Sequence, residues 1–176
     1  MNNNSYNKIF LILILSLSFF AAKAEGINNT ITDKFDFYGG IFDTIDKEGD
    51  DKANMYGFEH NSPILFRDTF LGKFSPISGG FITDKKSIYL YTGVQVQYGM
   101  GPLKILPSFT PGLYEAGDGK DLGSALEFKS EIKFAYDVLN NTQVGFSYSH
   151  ISNNDWGKGG KNPGVDNKTI SFSKNF

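Results

Sequence analysis

The 176-residue chain has no cysteine, only two histidines, no basic surplus and, beyond its first 24 residues, no long apolar run. Without Cys there is no disulfide, no thiolate metal site and no Cys nucleophile. His60 and His150 lie far apart in sequence and offer no metal-ligand spacing, so neither a metal nor an organic cofactor is expected. Seventeen basic against 19 acidic side chains give a net charge of −2, whereas a nucleic-acid binder normally carries a basic excess. No later segment approaches the roughly 18 apolar residues of a membrane-spanning helix. What the chain does have is 17 Phe, 9 Tyr and 20 Gly. That composition favours strands over helices, within one domain.

The first 24 residues read as a targeting segment. Lys8 precedes an apolar stretch over 9–22, too short to cross a bilayer as a helix, and Ala22-Lys23-Ala24 fits a small-x-small cleavage site. A cleaved signal peptide over 1–24 is therefore expected, with the mature chain running over 25–176. Its loss removes Lys8 and Lys23 and moves the net charge from −2 to −4.

The clearest periodicity lies in 124–138. Leu126, Phe128, Ile132, Phe134, Tyr136 and Val138 fall on one parity, and Glu127, Lys129, Glu131, Lys133 and Asp137 on the other. A period of two held that long outruns the usual soluble strand of about five or six residues. A tilted strand crossing a bilayer needs about nine to eleven. Eight such strands are predicted, over 33–43, 53–66, 70–83, 87–99, 102–115, 122–138, 142–152 and 166–176. Short connectors (67–69, 100–101, 139–141) alternate with mostly longer polar ones (44–52, 84–86, 116–121, 153–165). Brief turns at one end and larger loops at the other are the pattern of an outer-membrane barrel. The last strand also ends on Phe176, with Ile170 and Phe172 on its face. The expectation is an all-β, eight-stranded antiparallel transmembrane barrel of the outer-membrane type. Periodicity alone leaves open a soluble periplasmic sandwich or lipocalin-like barrel with its apolar face inward. The signal peptide and the terminal aromatic favour the membrane.

The seventh predicted strand carries the chemistry. Val144, Phe146, Tyr148, His150 and Ser152 share a face, and in a barrel that face meets lipid. Polar groups there are costly unless they have a task. His150 and Ser152, two apart on one face, form a candidate base and nucleophile for acyl transfer. Asp166 opens the next strand on the matching parity and is the candidate to orient His150. Asn153 offers a side-chain amide or a backbone N–H to an oxyanion.

The segments 106–114, 122–128, His150-Ile151-Ser152-Asn153 and Asn162-Pro163-Gly164-Val165-Asp166 resemble the PagL family of lipid A deacylases, over roughly 103–176. The resemblance implies an eight-stranded outer-membrane barrel that removes an ester-linked 3-hydroxyacyl chain from lipid A. It also implies Ser152 as nucleophile, His150 as base, Asp166 as orienting acid and Asn153 at the oxyanion hole. The partner is then lipopolysaccharide in the outer leaflet, met by a monomer or homodimer. The chain departs from the family pattern in that Asp166 stands where Glu is usual, and the loop with Gly157, Gly159 and Gly160 is slightly longer. Asn154 also replaces a commonly small residue.

Plainer roles fit other residues. His60 reads as a rim or lumen residue, Trp156 as an interfacial aromatic, and Glu127 to Lys133 as an inward salt-bridge ladder. The rival functions are a non-catalytic structural or adhesion barrel, and a phospholipase or acyltransferase using the same triad on another lipid. The mature protein, starting near Glu25, is expected to fractionate with outer membranes and to migrate heat-modifiably on gels. Recovery from the soluble periplasm would refute this.

Overall fold

The computed structural model describes residues 33–45, 51–64, 67–69, 72–156 and 158–176. The signal-peptide expectation lies outside the described residues. Among the described residues nine strands follow one another: β1 (Lys34–Phe42), β2 (Ala53–Asn61), β3 (Arg67–Thr69), β4 (Gly72–Thr83), β5 (Ile88–Met100), β6 (Leu103–Glu115), β7 (Leu126–Leu139), β8 (Thr142–Ser152) and β9 (Val165–Asn175). Every pairing is antiparallel between chain neighbours, except that β1 pairs β9 and β2 pairs β4. Those two pairings close an eight-stranded barrel, to which β3 adds a short flap against the start of β4.

Three boundaries differ clearly from the sequence reading, the first being the second strand, expected over 53–66, which ends at Asn61. Residues 67–69, expected as a turn, form β3, because the hairpin between β2 and β4 continues its ladder past the barrel end. The strand expected from 122 begins at Leu126, because 116–125 is drawn into a loop. There Tyr114 Oη donates to the Lys120 carbonyl at 2.8 Å and the Gly123 N–H donates to Asp121 Oδ1 at 2.8 Å.

The alternation settles which way the strands face. Phe37, Tyr56, Phe58, Leu90, Phe109, Phe134, Tyr136, Phe146, Ile170 and Phe172 are all exposed, while Glu127, Lys129 and Lys133 are buried. A soluble barrel would hide the first set and wet the second. Here the apolar parity forms the outer wall and the charged parity fills the lumen, as in membrane barrels. Phe176 continues the outer row and meets the Phe35 ring edge-on at 5.8 Å.

Inside, the packing falls into layers. Towards the end with the longer connectors, Phe42, Phe81, Tyr89, Tyr114, Leu122, Ile151 and Val165 form an apolar plug. Below it, Lys133 Nζ donates to Asp36 Oδ2 at 2.7 Å and Glu59 Oε1 at 2.8 Å. Lys129 lies 3.3 Å from Glu131 and 3.8 Å from Glu59, and 3.9 Å above the Tyr91 ring. Tyr91 Oη donates to Glu59 Oε2 at 2.9 Å. The expected ladder is thus a ring of cross-lumen ion pairs. At the short-turn end, Lys104 and Gln143 both donate to Asp137.

Breaking a buried pair costs more than the pair contributes, because the remaining charge is stranded. Lys133→Ala would leave Asp36 without its ammonium partner and Glu59 with only the more distant Lys129. A loss of about 3–5 kcal/mol is expected, read as a lower unfolding midpoint of the folded gel band.

Candidate active site

The site stands on the outer wall where β8 and β9 reach the long-connector end. The β8–β9 register sets His150 directly opposite Asp166, with Tyr148 opposite Lys168 and Ile151 opposite Val165. Directly opposed residues in an antiparallel pair are about 4.5–5.5 Å apart at Cα. That brings an imidazole and a short carboxylate within reach, and His150 Nδ1 lies 3.0 Å from Asp166 Oδ1. A carboxylate accepts, so Nδ1 is the donor in this pair, and in a neutral imidazole that leaves the lone pair on Nε2. The His150 side chain is 48% exposed and that of Asp166 20%.

Two further residues fix Asp166. Tyr148 Oη donates to the same Oδ1 at 2.6 Å, reaching along the outer wall from one pair below. From the other side, the Thr44 N–H and hydroxyl both donate to the Asp166 carbonyl, at 2.7 and 3.1 Å. Neither Tyr148 nor Thr44 stood out in the sequence. Tyr148 shares the parity of His150 and was legible only as a lipid-facing aromatic.

Ser152 ends β8 on the same face as His150 and is half-exposed. Its hydroxyl makes no hydrogen bond among the described residues. Its cross-strand neighbour on β7 is Phe128, whose ring packs face-on with Phe109 at 6.0 Å and meets Trp156 edge-on at 5.3 Å.

Asn153 is turned differently. It is fully buried, and its Nδ2 donates to the Leu122 carbonyl at 2.6 Å, the Lys161 carbonyl at 3.1 Å and Glu127 Oε1 at 3.1 Å. Its backbone N–H donates to Asn162 Oδ1 at 3.1 Å. Of the two donors expected of Asn153, one is committed inside the barrel and the other to Asn162. The side chain knits loop 116–125 to loop 153–164 directly behind Ser152. The Lys161 ammonium reinforces that tie, donating to Asp121 at 2.8 Å and holding the Asp121 carboxyl below its usual range.

The turn before Asp166 is shaped around the imidazole. Gly164 adopts φ +59°, and a Cβ there would stand 2.9 Å from His150 Cε1 and 3.2 Å from Nε2. The glycine admits the left-handed backbone and the ring lying against it. His60 has no part in this cluster; it pairs with Asp33 at 2.7 Å on the rim. Among the described residues no group of acidic and His side chains could hold a metal ion.

A family model described as "Lipid A 3-O-deacylase (PagL)" matches residues 54–175. Among solved structures, the crystal structure of the outer membrane enzyme PagL is similar with a TM-score of 0.59 at 15% identity, covering 80% of this chain and 98% of that one. The Yersinia pestis outer membrane protein Ail gives 0.51 at 10% identity, over 82% and 99% of the two chains. The de novo designed barrel TMB2.3 gives 0.50 at 14% identity, over 82% and 94%. At these identities the structural likenesses establish the barrel fold. Among curated proteins, none matches this sequence significantly.

Gly164→Ala should push the imidazole off its carboxylate while leaving the barrel intact. The expected outcome is normal insertion and heat-modifiable migration with any esterase activity lowered at least tenfold. Full activity would mean the ring tolerates displacement.

Proposed function

Because the chain belongs to the PagL family of lipid A 3-O-deacylases, we propose that it hydrolyses an ester-linked 3-hydroxyacyl chain of lipid A with Ser152, His150 and Asp166. The family model spans most of the barrel and carries the coarser statement: this is an outer-membrane lipid A deacylase. The finer reading rests on one observation, the His150–Asp166 pair held on the lipid-facing wall two residues from Ser152.

The short turns of such barrels face the periplasm and the longer loops the exterior. On that orientation the site lies at the level of the outer leaflet, where lipopolysaccharide resides. A triad on the outside of a barrel suits a substrate that is itself a membrane lipid and arrives by lateral diffusion. An inert structural barrel would carry no reason for a His–carboxylate pair on this surface.

The chemistry follows from the tautomer. The Ser152 hydroxyl attacks the ester carbonyl carbon as His150 Nε2 takes its proton. Asp166 holds the ring and balances the imidazolium. The tetrahedral intermediate collapses when His150 returns the proton to the departing sugar oxygen, leaving an acyl-serine. Water, deprotonated by His150, then releases the 3-hydroxy acid. For the oxyanion, the backbone N–H of Asn153 is the donor in this reading, exchanging Asn162 Oδ1 for the substrate oxygen.

Asp166 stands where the family commonly has Glu, and the register supports its role as the orienting acid. A residue directly opposite His150 needs no added methylene to reach Nδ1. Ser152→Ala is expected to abolish ester release with folding unchanged. Asp166→Asn should cost several hundred-fold or more by favouring the wrong tautomer, as for triad acids in general, whereas Asp166→Glu should keep most activity. Mass spectrometry of lipid A from cells with and without each variant reads all three. A fully active Ser152→Ala protein would end the triad reading.

A further inference from the structure

The outward positions of β7 are Leu126, Phe128, Ser130, Ile132, Phe134, Tyr136 and Val138, so Ser130 is the one short polar side chain in an otherwise aliphatic and aromatic row. The register sets Ser130 directly opposite His150, as it sets Phe128 opposite Ser152 and Ile132 opposite Tyr148. Ser130 is therefore nearer to His150 through the backbone than Ser152 is, since residues two apart on a strand are separated by about 6.6 Å. It is exposed on the outer wall, and its hydroxyl makes no hydrogen bond among the described residues. A small polar side chain beside the base, without a partner among the described residues, faces the space a substrate would enter.

We infer that Ser130 hydrogen-bonds the hydroxyl group on the acyl chain being released and so selects 3-hydroxyacyl esters over plain acyl esters. This rests on the reading of Ser152 as nucleophile. With the ester carbonyl at Ser152, the acyl chain descends into the leaflet, and the carbon bearing its 3-hydroxyl stands two bonds beyond the carbonyl carbon. Ser130 lies one outward position deeper than the Phe128–Ser152 pair, in the direction the chain takes. Of the other polar outward groups at this depth, Tyr148 Oη is spent on Asp166, and Lys168 stands on β9, across β8 from Ser130. Deeper still, an open groove of about 390 Å³ is lined by Leu103, Phe134, Tyr136, Val144, Phe146 and Ile170 among others. It suits hydrocarbon and gives a chain hydroxyl little to bond. Ser130 is the group placed to satisfy it, and an unsatisfied hydroxyl in an apolar setting is the penalty that creates selectivity.

The test compares two synthetic acylated glucosamine phosphates, identical except that the ester chain is 3-hydroxytetradecanoyl in one and tetradecanoyl in the other. Each is presented in mixed micelles to the folded full-length barrel, and kcat/KM is measured for both. The parent should prefer the hydroxylated ester, and Ser130→Ala should lower that preference about tenfold, the scale of one lost hydrogen bond. Ser130→Thr, which keeps the hydroxyl, should restore most of it. An unaltered preference in Ser130→Ala, or an equal fall on both esters, overturns the inference. Loss of both activities to the level of Ser152→Ala also overturns it, by making Ser130 part of the reacting pair. Ser152→Ala run alongside separates the two readings. If it is inactive while Ser130→Ala keeps the parent's preference, only this inference fails; if it stays active, the proposed triad fails first.

Discussion

Hydrocarbon on the outside of the sheet leaves no water to satisfy a backbone N–H or C=O, so the ladder has to close on itself. The β1–β9 and β2–β4 pairings meet that demand. Once the ring is closed, the register of every strand is fixed, and with it the side of the wall each residue occupies. Ion pairs are then driven into the lumen, where Lys133 joins Asp36 of β1 to Glu59 of β2 across the barrel. Charged strand residues that would be surface decoration in a soluble protein become the filling.

The same closure makes the outer wall informative. On a lipid-facing surface a hydroxyl, an imidazole and a carboxylate are conspicuous, and here they stand together at one edge. In the proposed reading the wall also separates reacting residues from supporting ones. Outside are His150, Ser152, Asp166 and Ser130, each on an outward parity. Inside or behind are Asn153, bonded to Leu122, Lys161 and Glu127, and Asn167, which accepts from the Asp43 N–H. Loops 116–125 and 153–164 are tied to each other through the Asn153 side chain. The end of β8 is thereby held without spending any outward side chain on the task.

Much of this was legible in the residues. The two-residue period over 124–138 dictated an amphipathic strand too long for an ordinary soluble sheet, and Asp166 could be matched to His150 by parity. Strand parity is a local property, so it survives translation into structure almost unchanged. Strand ends are less local. Residues 67–69 extend a ladder as β3, and 122–125 leave one, because turn hydrogen bonds and loop packing decide the terminus.

What the sequence by itself determined is the alternation, the aromatic outer row, and the placing of His150, Ser152 and Asp166 on one parity. It did not determine which parity faces out, since a soluble barrel and a membrane barrel share the same period. Tertiary closure decided that, exposing Phe134, Phe146 and Ile170 and burying Glu127, Lys129 and Lys133. Only the folded chain shows Tyr148 bonded to Asp166, Gly164 making room for the imidazole, Asn153 turned inward, and Ser130 across from His150. Each of these depends on the register between strands, and register is a property of paired segments that neither segment carries alone.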